Sequence, residues 1–150
     1  MPLTNPGVFN IAKGIWRYYC TLPGSDDAII WVLLKAPTQS DDVMNNYDNL
    51  ASLIAQNPEC NRSNYARKVT TSMTPTQNNT ANTADVDAAD QTWAALVTGD
   101  SLGGLVLAYR PASNSNDGAC IPLFYYPFVG PTNGSDVVAA VHAAGLAGAA

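Results

Sequence analysis

Glutamate is almost missing from this 150-residue sequence: eleven of the twelve acids are Asp, and Glu59 stands alone. Lysine is scarce as well, at Lys13, Lys35 and Lys68 only. Solvent-facing helices are usually filled with Glu, Lys, Gln and Arg, whose straight side chains lose little rotamer freedom there. Their scarcity argues against a helical surface. Basic charge is low in total, with seven Lys and Arg against twelve Asp and Glu and a net charge of −5. Seven bases cannot supply a sequence-independent phosphate footprint, so nucleic acid is disfavoured as a partner.

Long hydrophobic runs are lacking too. The longest, Ala28 to Leu34, is far too short to span a bilayer, and the Ala/Gly-rich stretch from Val137 to Ala150 is broken by His142 and two glycines. Met1 to Asn10 carries no basic residue and no apolar core, so no secretory signal is expected there. A membrane partner is therefore not expected, and synthesis in a cytoplasm is. The three cysteines, Cys20, Cys60 and Cys120, make an odd count without a CxxC pair. That argues against a disulfide framework or a zinc site and for buried thiols.

Catalytic material is equally thin. His142 is the single histidine, and no GxSxG or cysteine-nucleophile pattern accompanies it. Asp85, Asp87 and Asp90 gather three carboxylates that raise the question of a bound cation. The run lacks the central glycine and closing Glu of a calcium loop, and it reads as turn or strand-end acids. Residues 99 to 104 (GDSLGG) lead into an apolar run instead of a helix, so they read as a hairpin turn and not as a phosphate cradle. No catalytic, cofactor-binding or metal-binding residue is assigned, and the chain is expected not to be an enzyme.

What the sequence does hold is Thr, Asn, Ser and Asp as polar residues, together with a 47 % hydrophobic content. Thr favours strands, and the others favour turns and caps. The length suits one domain over residues 1–150, with 1–10 as a candidate N-terminal arm. Phe9, Ala12, Ile15, Trp16 and Tyr19 recur at helical spacing, which predicts a short N-terminal helix. Ala28 to Leu34 reads as a buried strand, and Asp48 to Ala55 as a short surface helix. Further strands are predicted in Asn64 to Met73, around Gln91 to Ala94, over Leu105 to Tyr109 and over Ala119 to Phe128. Pro122 and Pro127 mark the last of these as an edge strand or one with irregular ends. Pro75 to Ala84 and Arg110 to Gly118 read as polar loops, and Asp136 to Val141 as a final strand or a helix. The sum is a mainly β chain: a single β-sandwich or partly open barrel with two short helices.

Aromatic residues cluster at Trp16, Tyr18 and Tyr19 and again at Phe124, Tyr125, Tyr126 and Phe128. Strand alternation sends some of these rings inward and some outward. Exposed rings on a weakly charged surface suit a protein–protein contact, although a two-layer core accounts for them equally. Phe9, Trp16, Tyr19, Tyr125, Tyr126 and Phe128 are the interface candidates.

Several segments stand in a telling order. IAKGIWRYYC and AIIWVLLKA are followed by YDNLASLI, NYARKVTTSM and DVDAADQTW, then by LGGLVLAYRP, IPLFYYPF and NGSD. In this order the chain resembles a family of small virion proteins of tailed bacteriophages, the capsid decoration (cement) or minor capsid proteins. The resemblance implies a structural role on the outer surface of the phage head. Such a protein ties neighbouring major capsid subunits together, often as a homotrimer, after assembly in the host cytoplasm. A low-charge surface fits that role, because short-range hydrogen bonds and apolar anchors bind repeated sites with little dependence on ionic strength. Two alternatives remain: a tail or head–tail joining protein of the virion, and a small carbohydrate-binding β-domain that would use exposed rings and the Asp85/Asp87/Asp90 group.

Overall fold

The computed structural model describes residues 22, 24, 26–78, 83–141 and 147–149. Helix prediction over Phe9 to Tyr19, the candidate arm 1–10, Cys20 and His142 fall outside these residues.

Strand β1 (Ala28–Lys35) is the centre of the fold, and every residue from Ala28 to Leu34 is buried. An unbroken apolar run makes sense only for a strand covered on both faces. It lies in a four-stranded antiparallel sheet of order β2-β1-β6-β7, with β2 at Lys68–Thr70, β6 at Ser101–Arg110 and β7 at Ile121–Pro131. The β1–β6 register pairs Ile29 with Tyr109, Trp31 with Leu107 and Leu33 with Leu105. Those side chains form one face, with Trp93, Leu96 and Cys60 packed over it. Alternate pairs, Ile30 with Ala108 and Val32 with Val106, form the other.

Two short helices cover that second face. Helix α1 (Asp41–Met44) contributes Met44, and α2 (Leu50–Gln56) contributes Leu50 and Leu53. Asn49 caps α2: its side chain accepts from the Ser52 amide at 2.9 Å, and the Ser52 hydroxyl donates back to the Asn49 carbonyl at 2.9 Å. Asn57 closes the helix fully buried. Its side-chain amide donates to the Leu53 and Gln39 oxygens and accepts from the Gln39 N–H, so both of its side-chain polar atoms are paired.

Five further strands form two smaller sheets. Strands β3 (Thr74–Asn78), β4 (Thr83–Asp87) and β9 (Ala147–Ala149) make a three-stranded sheet of order β3-β4-β9. Strands β5 (Gln91–Trp93) and β8 (Val137–Ala139) make a two-stranded ribbon. The protein is mainly β and antiparallel, and its described strands close no barrel.

Several expectations need correction. Residues from Pro75 to Ala84, read as a polar loop, hold β3 and the start of β4, paired from Thr74–Asp87 to Asn78–Thr83. The Thr- and Asn-rich composition hid the hairpin because it carries no apolar alternation. Pro75 is tolerated because β3 is the edge of its sheet. Residues 101–104, read as part of a turn, belong to β6. Gly103 and Gly104 are there for close packing and not for a turn: a Cβ at Gly103 would lie 2.9 Å from the Ala36 Cα, and one at Gly104 would lie 2.5 Å from the Tyr125 ring. The turn itself is at Gly99, with φ +128°. The strand expected across Asn64 to Met73 forms only over Lys68–Thr70. Strand β9 was not anticipated, and the 136–141 ambiguity resolves to the strand β8.

Candidate interaction surface

β7 carries the densest aromatic run, and the ladder sorts its rings. Phe124 stands opposite Leu107 and Tyr126 opposite Leu105, so both join Trp31 and Leu33 on one face, where Phe128 also packs. Tyr125 stands opposite Val106 and points to the helix-covered face. Its ring lies against Gly104, and its hydroxyl is 2.6 Å from the Thr38 hydroxyl and donates to the Gly103 carbonyl at 3.4 Å. Tyr125 thus clamps the segment after β1 to the sheet. The sequence treats Tyr125, Tyr126 and Phe128 as equivalent interface candidates; the structure separates the first from the other two. Phe9, Trp16 and Tyr19 lie outside the described residues.

Tyr126 and Phe128 line an apolar groove of about 370 Å³. Trp31, Leu33 and Leu105 line it from the sheet, Trp93 from β5, and Val137 to Val141 from β8 and the residues after it. Both indoles spend their N–H elsewhere: Trp31 donates to the Thr70 hydroxyl and Trp93 to the Ala66 carbonyl, each at 2.9 Å. Both rings are themselves buried and form the closed base of the groove. Among the described residues no charged side chain lines it. Val138 on the β8 side is 55 % exposed, and Val129, next to Phe128, is 84 % exposed. Sequence reasoning missed Trp31, Trp93 and the β8 wall, because each comes from a separate element and only the tertiary packing brings them together. The one local signal was the absence of any charge between Asp117 and Asp136.

The edge of β7 is poorly suited to adding another strand. Pro122, Pro127 and Pro131 remove three amide donors along its length. Its register with β6 also breaks twice, where Leu123 and where Phe128 and Val129 add extra residues. Prolines and bulges of this kind guard an edge against pairing. The β7 edge therefore favours side-chain contacts over a backbone ladder.

Exposed carboxylates stand at both ends of the β8 wall. Asp136 precedes Val137, and one of its oxygens accepts the Ala95 amide at 2.9 Å. Asp90 accepts the Val141 amide at 2.7 Å. Neither takes part in an ion pair among the described residues. Asp87 accepts the neighbouring Ala88 amide at 2.8 Å, and Asp85 pairs across the β3–β4 ladder with Thr76. Among the described residues no three potential metal ligands come together.

Four ion pairs among the described residues knit the framework. Asp100 lies 3.0 Å from the Arg62 Nε and 3.6 Å from the Lys35 ammonium. Arg67 grips the lone Glu59 through two nitrogens, at 2.9 and 2.6 Å, and bonds Asp117 with both terminal nitrogens. The Arg67 hydrogen bonds hold the Asp117 carboxyl below the usual range. Tyr65 donates to Glu59 at 2.6 Å and accepts the Leu33 amide, and burial pushes its phenol up. Burial likewise pushes the Cys60 and Cys120 thiols up, the reverse of what a thiolate nucleophile needs. Searches against protein-family models, curated proteins and solved structures found no match to this chain.

Proposed function

We propose that this chain is a virion structural protein: a capsid decoration protein that docks on the outer surface of a phage head and braces contacts between major capsid protein subunits. In this reading the main sheet and the β5–β8 ribbon act as an open sandwich, and the protein binds as a homo-oligomer, with a trimer expected. The observation that carries the docking role is the apolar groove beside an uncharged, aromatic edge strand whose backbone is guarded against strand addition. Such a surface suits side-chain anchoring on a protein partner, where buried aromatic and aliphatic contacts supply most of the affinity. The ordered sequence motifs supply the choice of a capsid as that partner.

Copy number on particles and the thermal stability of shells test the proposal together. Purified protein added to empty shells should bind at hundreds of copies per particle and raise the shell melting temperature. Binding of a dozen copies or fewer would place the protein at the tail or head–tail joint instead. No association with shells would end the virion reading altogether.

A further inference from the structure

The turn between β7 and β8 is pinned to the segment between β5 and β6 at three points. The Thr132 amide donates to the Asp100 carbonyl at 2.8 Å, and the Asp100 amide donates back to the Thr132 hydroxyl at 3.0 Å. The Gly134 amide donates to the Leu96 carbonyl at 2.8 Å, and Asp136 accepts the Ala95 amide at 2.9 Å. Between the outer anchors Asn133 and Gly134 are exposed, and Gly134 sits at φ +86° with open space where a Cβ would be. Asn133-Gly134 is the only Asn-Gly pair in the sequence. In such a pair the following backbone nitrogen can reach the Asn side-chain carbonyl carbon, because glycine has no side chain to obstruct the approach. The Ser135 amide donates to the Asn133 Oδ1 at 3.0 Å, which polarises that carbonyl. The nitrogen that would attack it, on Gly134, is held by Leu96 instead.

We propose that Asn133 is a deamidation site gated by the Gly134–Leu96 hydrogen bond. When the turn opens, the Gly134 nitrogen gives up its proton to the solvent and bonds to the Asn133 Cγ. The Cγ–Nδ2 bond breaks, the amide nitrogen takes up a proton, and ammonia leaves. Water then opens the resulting succinimide at either carbonyl, giving an aspartyl or an isoaspartyl residue with one new negative charge. The isoaspartyl form carries an extra methylene in the main chain between Thr132 and Gly134. The spacing that lets the Thr132, Gly134 and Asp136 anchors form together is then lost. A closed turn is thus converted irreversibly into an open one, whatever the protein binds.

Peptide mapping by mass spectrometry of the full chain, held at mildly alkaline pH, gives the rate of amide-to-acid conversion at Asn133. A synthetic peptide of residues 130–138 is the ungated reference. The folded chain should react about 5–30-fold more slowly than the peptide, the factor that one or two net hydrogen bonds represent. The urea-unfolded chain should match the peptide. Asp136→Ala removes the neighbouring anchor and should speed the folded-state reaction about fivefold. Asp136→Asn keeps an oxygen for the Ala95 amide and should leave the rate near its native value. Both variants lose the same charge, so their difference isolates the anchor. Hydrogen exchange of the Gly134 amide reads the opening directly. In the native chain under sub-denaturing urea, and in both variants, it should rise in step with the deamidation rate. The gate is overturned if the folded chain reacts as fast as the peptide, if the two variants react alike, or if exchange and deamidation do not move together. Absence of conversion at Asn133 in the unfolded chain overturns the site itself. The isoaspartyl chain, separated by chromatography, should melt at a lower temperature than the intact one, and an equal melt would overturn the loss of the anchors.

Discussion

Gly104→Ala is a single-methyl change whose cost can be worked from the structure. Gly104 does not sit at positive φ, so its backbone accepts alanine without strain. In an open strand the change would even help, since glycine in a strand interior costs about 0.5–1 kcal/mol relative to alanine. Here the new Cβ would lie 2.5 Å from the Tyr125 Cε2. The ring cannot swing aside freely, because its hydroxyl is held by Thr38 and the Gly103 carbonyl. Overpacking of this kind costs about 1–3 kcal/mol, and losing the hydroxyl contact adds about 1 kcal/mol. Set against the strand gain, Gly104→Ala should therefore destabilise by about 1–3 kcal/mol. With Tyr125→Ala already in place the same change should cost nothing or stabilise slightly. Urea unfolding of the four members of this double-mutant cycle reads the coupling directly. A penalty of equal size in both backgrounds would refute the argument that the Tyr125 ring is what requires glycine.

Other expectations follow from the same geometry. Leu53→Ala removes a buried contact between α2 and the sheet and should cost about 2–5 kcal/mol in a thermal or urea melt, with the spread set by how far the site collapses. Asn49→Ala removes the α2 cap and should cost about 1 kcal/mol. Asp117 has its carboxyl lowered by Arg67, from an ordinary value of 3.8, so the stability it contributes is complete above that value and is lost as pH falls below it. Arg67→Ala should flatten that acid limb of the urea midpoint, and an unchanged limb would contradict the assignment. Cys60 and Cys120 should resist a thiol reagent in the native state and react on unfolding, as read by mass-spectrometric mapping of the modified peptides.

The sequence by itself determined the class of this protein and the placing of its main strands. The apolar run Ala28 to Leu34 could only be a doubly covered strand, the Leu spacing marked α2, and the prolines marked β7 as an edge. These signals are local: they depend on burial, period and backbone chemistry along a single segment. The β3–β4 hairpin escaped because its polar residues carry no period, and its pairing is set by the partner strand. The glycines of β6 were misread for a related reason. Whether glycine marks a turn or a close approach depends on what lies across from it, here Tyr125 and Ala36. The groove depended on tertiary structure in the same way. Trp31, Trp93, Phe128 and the β8 wall are far apart in the chain, and only the tertiary packing brings them around one groove. Composition set which surfaces would be uncharged; the packing of separate elements decided where uncharged side chains gather into a groove.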